Sequence, residues 1–150
     1  MHQFWFKSEM FRVTLGEDEE SNPFCYGREL AQWLQAQFAG RGYSPENAFP
    51  EDWGWCVMLS RTGGMFWLGC SNVRSSLYEQ VTPEQKPTFV PEPASLVWTS
   101  FVGTDRPSWS LRFGQRRAAI EQLSSAAESA NGVLESVLRC ESRIVLVPQP

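Results

Sequence analysis

Leu30, Trp33, Leu34 and Phe38 recur at the three- and four-residue spacing of one helix face, with Arg28, Glu29, Gln32 and Gln35 between them. That stripe predicts an amphipathic helix from Tyr26 to Gly40, with Gly40 and Gly42 supplying the left-handed exit. Asn22–Pro23 reads as its start, Asn capping free N–H groups and Pro taking the tolerated first position. Further on, two apolar runs at 53–60 and 65–71 flank "RTGG" and predict a β-hairpin. With Thr62–Gly63–Gly64 as the loop, Arg61 pairs with Met65 and Cys56 lies opposite Cys70. Trp53, Trp55, Val57 and Leu59 then share a face with Trp67, while Met58 meets Leu68 on the other. Both faces are apolar, as in a central strand pair of a covered sheet or a face kept for a partner.

Period-two alternation of Phe11, Val13 and Leu15 predicts one or two short strands over 3–15, followed by a polar turn at 16–23. Four prolines at 78–95 make that stretch an excursion from the sheet, because proline removes ladder donors. "SLVWTSFV" at 95–102 and "RIVLV" at 143–147 read as strands, and 108–113 fits a strand or a helix start equally. From Arg116 onward, Ile120, Leu123, Ala127, Ala130, Leu134 and Val137 form a helical seam, with a break expected at Asn131–Gly132. The order predicts an α+β domain spanning 1–150, a mostly antiparallel sheet of about five strands with two main helices on one face.

At 150 residues and 42% hydrophobic, the chain can bury a core without a staple. Eleven Arg and two Lys never cluster beyond Arg116–Arg117, and the net charge is −4, so no nucleic-acid partner is expected. The first ten residues hold no signal-type apolar core, and no apolar run nears the ~20 residues of a membrane span, so a cytoplasmic chain is expected.

Cysteines at 25, 56, 70 and 140 form no CxxC pair, and His2 is the only histidine, which argues against a zinc site and against His-based nucleophilic catalysis. Neither GxGxxG nor GxxxxGK[ST] occurs. No cofactor is expected. The facing Cys56 and Cys70 read as two buried thiols, with a disulfide as the alternative.

The remaining chemistry lies in "PEDWGWC", 50–56. A carboxyl group against indole loses hydration, which raises its pKa toward a range useful for acid catalysis. Successive strand residues face apart, however, so Glu51 and Asp52 do not converge as a pair, and Asp52 remains as a single buried acid. The acids at 17–20 read as a solvated loop.

"GEDEESNPFCYGRELAQWL", "EDWGWCVML" and "FWLGCSN" together resemble a group of small bacterial proteins. In that group an acidic turn, an Asn-Pro-x-x-Tyr-Gly helix start, a Glu-Asp-Trp-Gly-Trp strand and a Gly-Cys strand recur in this order. The resemblance covers about residues 15–72 and implies a bacterial origin; it carries no activity and no catalytic residue.

The leading expectation is a non-enzymatic bacterial binding protein with a protein partner, one form being an immunity-type protein. Its acids at 17–20 and 51–52 would face a basic toxin. The alternative is a small-molecule-binding protein or acid-dependent hydrolase, with Trp53, Trp55 and Trp67 as an apolar wall and Asp52, beside Glu51, as polar anchor. A monomer or weak homodimer is expected.

Overall fold

The computed structural model describes residues 2–62, 64–105 and 113–150. Among these residues, six antiparallel strands form one sheet in the order β2-β3-β4-β5-β1-β6. They are β1 (Gln3–Lys7), β2 (Phe49–Glu51), β3 (Gly54–Ser60), β4 (Met65–Asn72), β5 (Trp98–Asp105) and β6 (Val145–Val147). The helices α1 (Arg28–Ala39), α2 (Ser75–Gln80) and α3 (Phe113–Cys140) complete the α+β fold of the described residues. The sixth strand is β2, whose Pro50 hides it from a propensity reading.

Helix α1 packs on β3 and β4, and α3 packs on β4, β5 and β6. Leu30, Leu34 and Phe38 of α1 and Leu123, Ala127, Ala130, Leu134 and Val137 of α3 meet Trp55, Val57, Leu68, Cys70 and Val102 of the sheet in one core. The α3 seam is continuous, and Gly132 faces open space, so the expected break does not occur. Ile120, expected in the seam, is exposed. The undecided stretch 108–113 lies outside the described residues except for Phe113, the first residue of α3.

The hairpin register changes part-way along. Ser60 pairs with Phe66, as the turn predicts, but Met58 pairs with Trp67 and Cys56 with Gly69, not Cys70. An irregularity between Met58 and Ser60 inserts one residue into β3, and a one-residue slip reverses every side chain beyond it. Trp55 therefore faces Cys70, and the expected Cys56–Cys70 match is lost. All four cysteines are free thiols.

The first helix also starts later than expected. Gly27 precedes it, and Asn22 does not cap it. The cap comes from the acidic turn: Glu17 Oε1 accepts the N–H groups of Gly27 at 2.8 Å and Arg28 at 2.9 Å. Asp18 Oδ2 accepts Phe24 N–H at 2.7 Å and the Lys86 ammonium at 3.1 Å. Glu17 and Asp18 are buried, so the solvated-loop reading fails for these two acids. Burial of an acid is tolerable here because N–H groups and a cation replace its lost water.

Lys86 also ties the proline-rich excursion to the body. It stands over the Phe24 ring, which Tyr78 and Phe89 meet edge-on at 5.1 and 6.2 Å. The segment begins in the last turn of α2 and holds two 3₁₀ turns, Lys86–Thr88 and Pro93–Ser95.

Candidate binding site

The pleat divides the sheet into two unlike faces. Phe6, Trp55, Val57, Leu68, Cys70, Trp98 and Val102 belong to the core under the helices. By register, Phe49, Cys56 and Met58 stand with Trp67, Gly69, Phe101 and Gly103 on the opposite face. The helices whose packing on the sheet is described share the core face.

Two glycines shape this second face. A Cβ on Gly103 would lie 2.5–2.7 Å from three atoms of the Trp67 indole, and one on Gly69 would lie 2.4–2.8 Å from three atoms of the Phe101 ring. Near-equal distances to three ring atoms mean that each ring lies flat over its glycine. Trp53 follows, with its ring centroid 5.6 Å from that of Phe101. The aromatics thus pave the sheet, and Cys56 and Met58 on the same face are buried.

At the β2–β4 side of the pavement lies a concavity of about 340 Å³. Phe49, Trp53, Cys56, Met58, Met65 and Trp67 form its apolar lining; Glu51, Arg61 and Asp105 supply its charges. The volume is near the lower end of ligand-sized sites. Arg61 is already matched, with Nε and Nη2 donating to the two carboxylate oxygens of Glu46 at 2.6 and 2.9 Å. That contact holds the Glu46 carboxyl below its ordinary range and Arg61 above its own. Glu51 and Asp105 form no ion pair among the described residues. Burial, and then the charge of Glu51, pushes the Cys56 thiol up to about 12, so it is a poor nucleophile at neutral pH.

The expected site residues separate. Glu51 pairs with Gly54 at the end of β2, leaving Asp52 and Trp53 as a two-residue hairpin turn. Both acids are exposed, so Asp52 is not the buried acid expected of it. Its backbone carbonyl, not its carboxylate, is engaged, accepting the Asn22 side-chain amide. Trp53 and Trp67 line the concavity together. Trp55 lies in the core with the Arg28 guanidinium 4.7 Å from its ring centre, because alternation beyond the turn sends it through the sheet. The three-tryptophan wall is therefore a two-tryptophan wall. Phe49, Met58, Met65 and Asp105 complete it; none of the four was expected in the site, and the two-sided apolar hairpin is the signal that could have found Met58.

A larger concavity, about 600 Å³, opens at the β1–β6 end beside Lys7, Ser8, Glu9, Met10 and Arg143. Arg143 is occupied by Glu141 at 2.8 and 3.0 Å, which takes the Glu141 carboxyl down to about 2. Lys7 and Glu9 are opposite charges side by side in the same rim, so this groove presents no net polar demand. Among the described residues, no three His, Cys, Asp or Glu side chains form a metal-ligand set, and no helix is long and apolar enough to cross a membrane.

No family model, curated protein or solved structure matches this chain.

Proposed function

We propose that this chain is a non-enzymatic binding protein that docks a protein partner on the face of its sheet opposite the described helices. The observation that carries this reading is the paved apolar face opposite the helices, running from Phe49 through Met58 and Trp67 to Phe101. Three inter-strand spacings of about 4.8 Å, from β2 to β5, and central strands of about 25 Å give a face of roughly 360 Å². That is a little under half of the ~800 Å² one partner contributes to a standard interface, the scale of a small, transient contact. Aromatic and methionine side chains are the types enriched in such contacts.

The edges of the sheet favour the face over strand addition. Both edge strands are three residues long; β2 contains Pro50, and Pro148 follows β6. Short proline-marked edges resist pairing with another chain. The exposed acids at the rim, Glu51, Asp52 and Asp105, select a partner whose apolar contact is ringed by basic residues. This keeps the immunity-type idea but moves its acids: Glu17 and Asp18 serve the fold, whereas the hairpin turn and the end of β5 serve the partner.

The test uses immobilised protein and lysate of the source cells. Trp53→Glu and Met65→Glu place charge on the face, and Ile120→Glu places it on an exposed site of α3. A stoichiometric protein held by wild type and I120E but lost from W53E and M65E supports the reading. No stoichiometric protein, or equal retention by all four, overturns it. A dimer mass in light scattering that M65E abolishes assigns the face to a second copy and overturns the separate partner.

A further inference from the structure

Within that docking reading, on which this inference rests, we infer that the concavity beside Trp53 and Trp67 seats an arginine side chain of the partner. Three observations converge on a cation. The lining is aromatic and thioether-rich, through Trp53, Trp67 and Met58. Glu51 and Asp105 border the same concavity without an ion pair among the described residues. The resident cation, Arg61, is held by both oxygens of Glu46 and does not neutralise them.

An apolar anchor would strip water from the two carboxylates and return nothing, since a charge removed from water needs a partner. A guanidinium answers both demands. Its planar face stacks on indole, and its edge carries donors for carboxylates. Trp67 lies flat over Gly103, so one indole face is turned away from the backbone. A lysine ammonium is more strongly hydrated and does not stack, which makes it the poorer occupant. The volume of about 340 Å³ takes one such side chain, not an extended segment.

The experiment titrates ¹⁵N-labelled full-length protein with N-acetyl-arginine methylamide and, separately, with N-acetyl-citrulline methylamide, its neutral isostere. The expected result is a saturable shift of the Trp53 and Trp67 indole N–H signals with arginine. Affinity falls about ten-fold or more for citrulline, and as much in the Glu51→Gln/Asp105→Asn double variant, because the charge term is what is removed. Both residues are exposed, so the double variant keeps the wild-type spectrum away from the concavity. Equal shifts with the two probes, no shift with arginine, or an unchanged response in the double variant overturns the inference. Each of those results leaves the docking reading to the W53E and M65E captures, which are independent of the probes. Loss of docking support with the arginine response intact separates the two in the other direction.

Discussion

Replacing Glu17 by alanine tests whether one remote carboxylate sets the start of α1. Glu17 is 2% exposed, and its Oε1 takes the first two free N–H groups at this helix start, those of Gly27 and Arg28. A hydrogen bond to a charged group contributes about 1.5–3 kcal/mol, and loss of a local cap costs about 0.5–2 kcal/mol. The two N–H groups share one oxygen, and water can enter the space left by the side chain, so the bonds do not add in full. An expected loss of about 3 kcal/mol follows. Glutamine keeps an oxygen where Oε1 stands and surrenders only the charge and its attraction to the helix N-terminus, so Glu17→Gln should cost about 1 kcal/mol.

The assay is urea unfolding followed by tryptophan fluorescence, with the slope checked for constancy between variants. Against a usual total of about 5–15 kcal/mol, a 3 kcal/mol loss leaves a folded protein with a clearly displaced midpoint. A loss below about 1 kcal/mol in Glu17→Ala would show that the carboxylate is not the cap. Equal losses for Gln and Ala would show that charge, not the acceptor oxygen, is what matters.

Other outcomes follow from the same structure. Lys86→Met removes the cation from the buried Asp18, leaving it Phe24 N–H alone; an expected loss of about 1–2 kcal/mol comes with faster proteolysis within 78–95, read by limited digestion. Gly54→Ala should cost about 3 kcal/mol in urea, because Gly54 has φ +153° and a Cβ would fall 2.4 Å from Cys70 O; a near-neutral result would refute the packing argument. Gly103→Ala should lift the Trp67 ring, shifting its indole N–H signal and weakening partner capture with a smaller stability change; an unmoved signal would contradict the flat-ring geometry. Aromatic disulfide reagent at pH 8 should titrate Cys140 fast and Cys25, Cys56 and Cys70 slowly, reaching four thiols only on unfolding. Burial raises the pKa of Cys56, to about 12, and of Cys70, so these thiols favour folding fully below the unfolded thiol pKa of about 8.5. Their contribution declines as pH climbs from there toward 12, and unfolding midpoints across that window check the sign.

The periodic elements were readable because their cause is local. The stripe of α1, the Ala-rich seam of α3 and the hairpin pairing of β3 with β4 each follow from spacing within a few residues, and each recurs in the fold. What escaped depends on contacts distant in sequence. The turn sets the pairing of Ser60 with Phe66, but the irregularity before it answers to packing on both faces, and no residue type marks it. That single inserted residue moved Trp67 away from Trp55 and Cys56 away from Cys70. Asn22 looked like a cap because capping is usually local; the actual acceptor, Glu17, reaches Gly27 through a loop closed by Asp18, Phe24 and Lys86. For the site, Trp53 and Trp67 could be named from sequence, whereas Phe49 and Asp105 arrive from other strands and carried no signal of their own.

A one-layer sheet with helices on a single side faces a conflict between solubility and recognition. A polar outer face solves the first and forfeits the second, and standing aromatic rings do the reverse. Here Gly69 and Gly103 let Phe101 and Trp67 lie down, which presents indole and phenyl faces in place of protruding edges. A flat ring keeps most of its contact area available to a partner while part of its own surface is already removed from water, so less is lost when the partner is absent. Acids on the rim add repulsion between copies of this chain, each of net charge −4, and attraction for a basic surface. Short edges closed by Pro50 and Pro148 block the competing route of strand addition. Charge, pavement and blunt edges therefore act in the same direction: they discourage self-association through this sheet and, on the docking reading proposed above, leave its face to a different, positively charged protein.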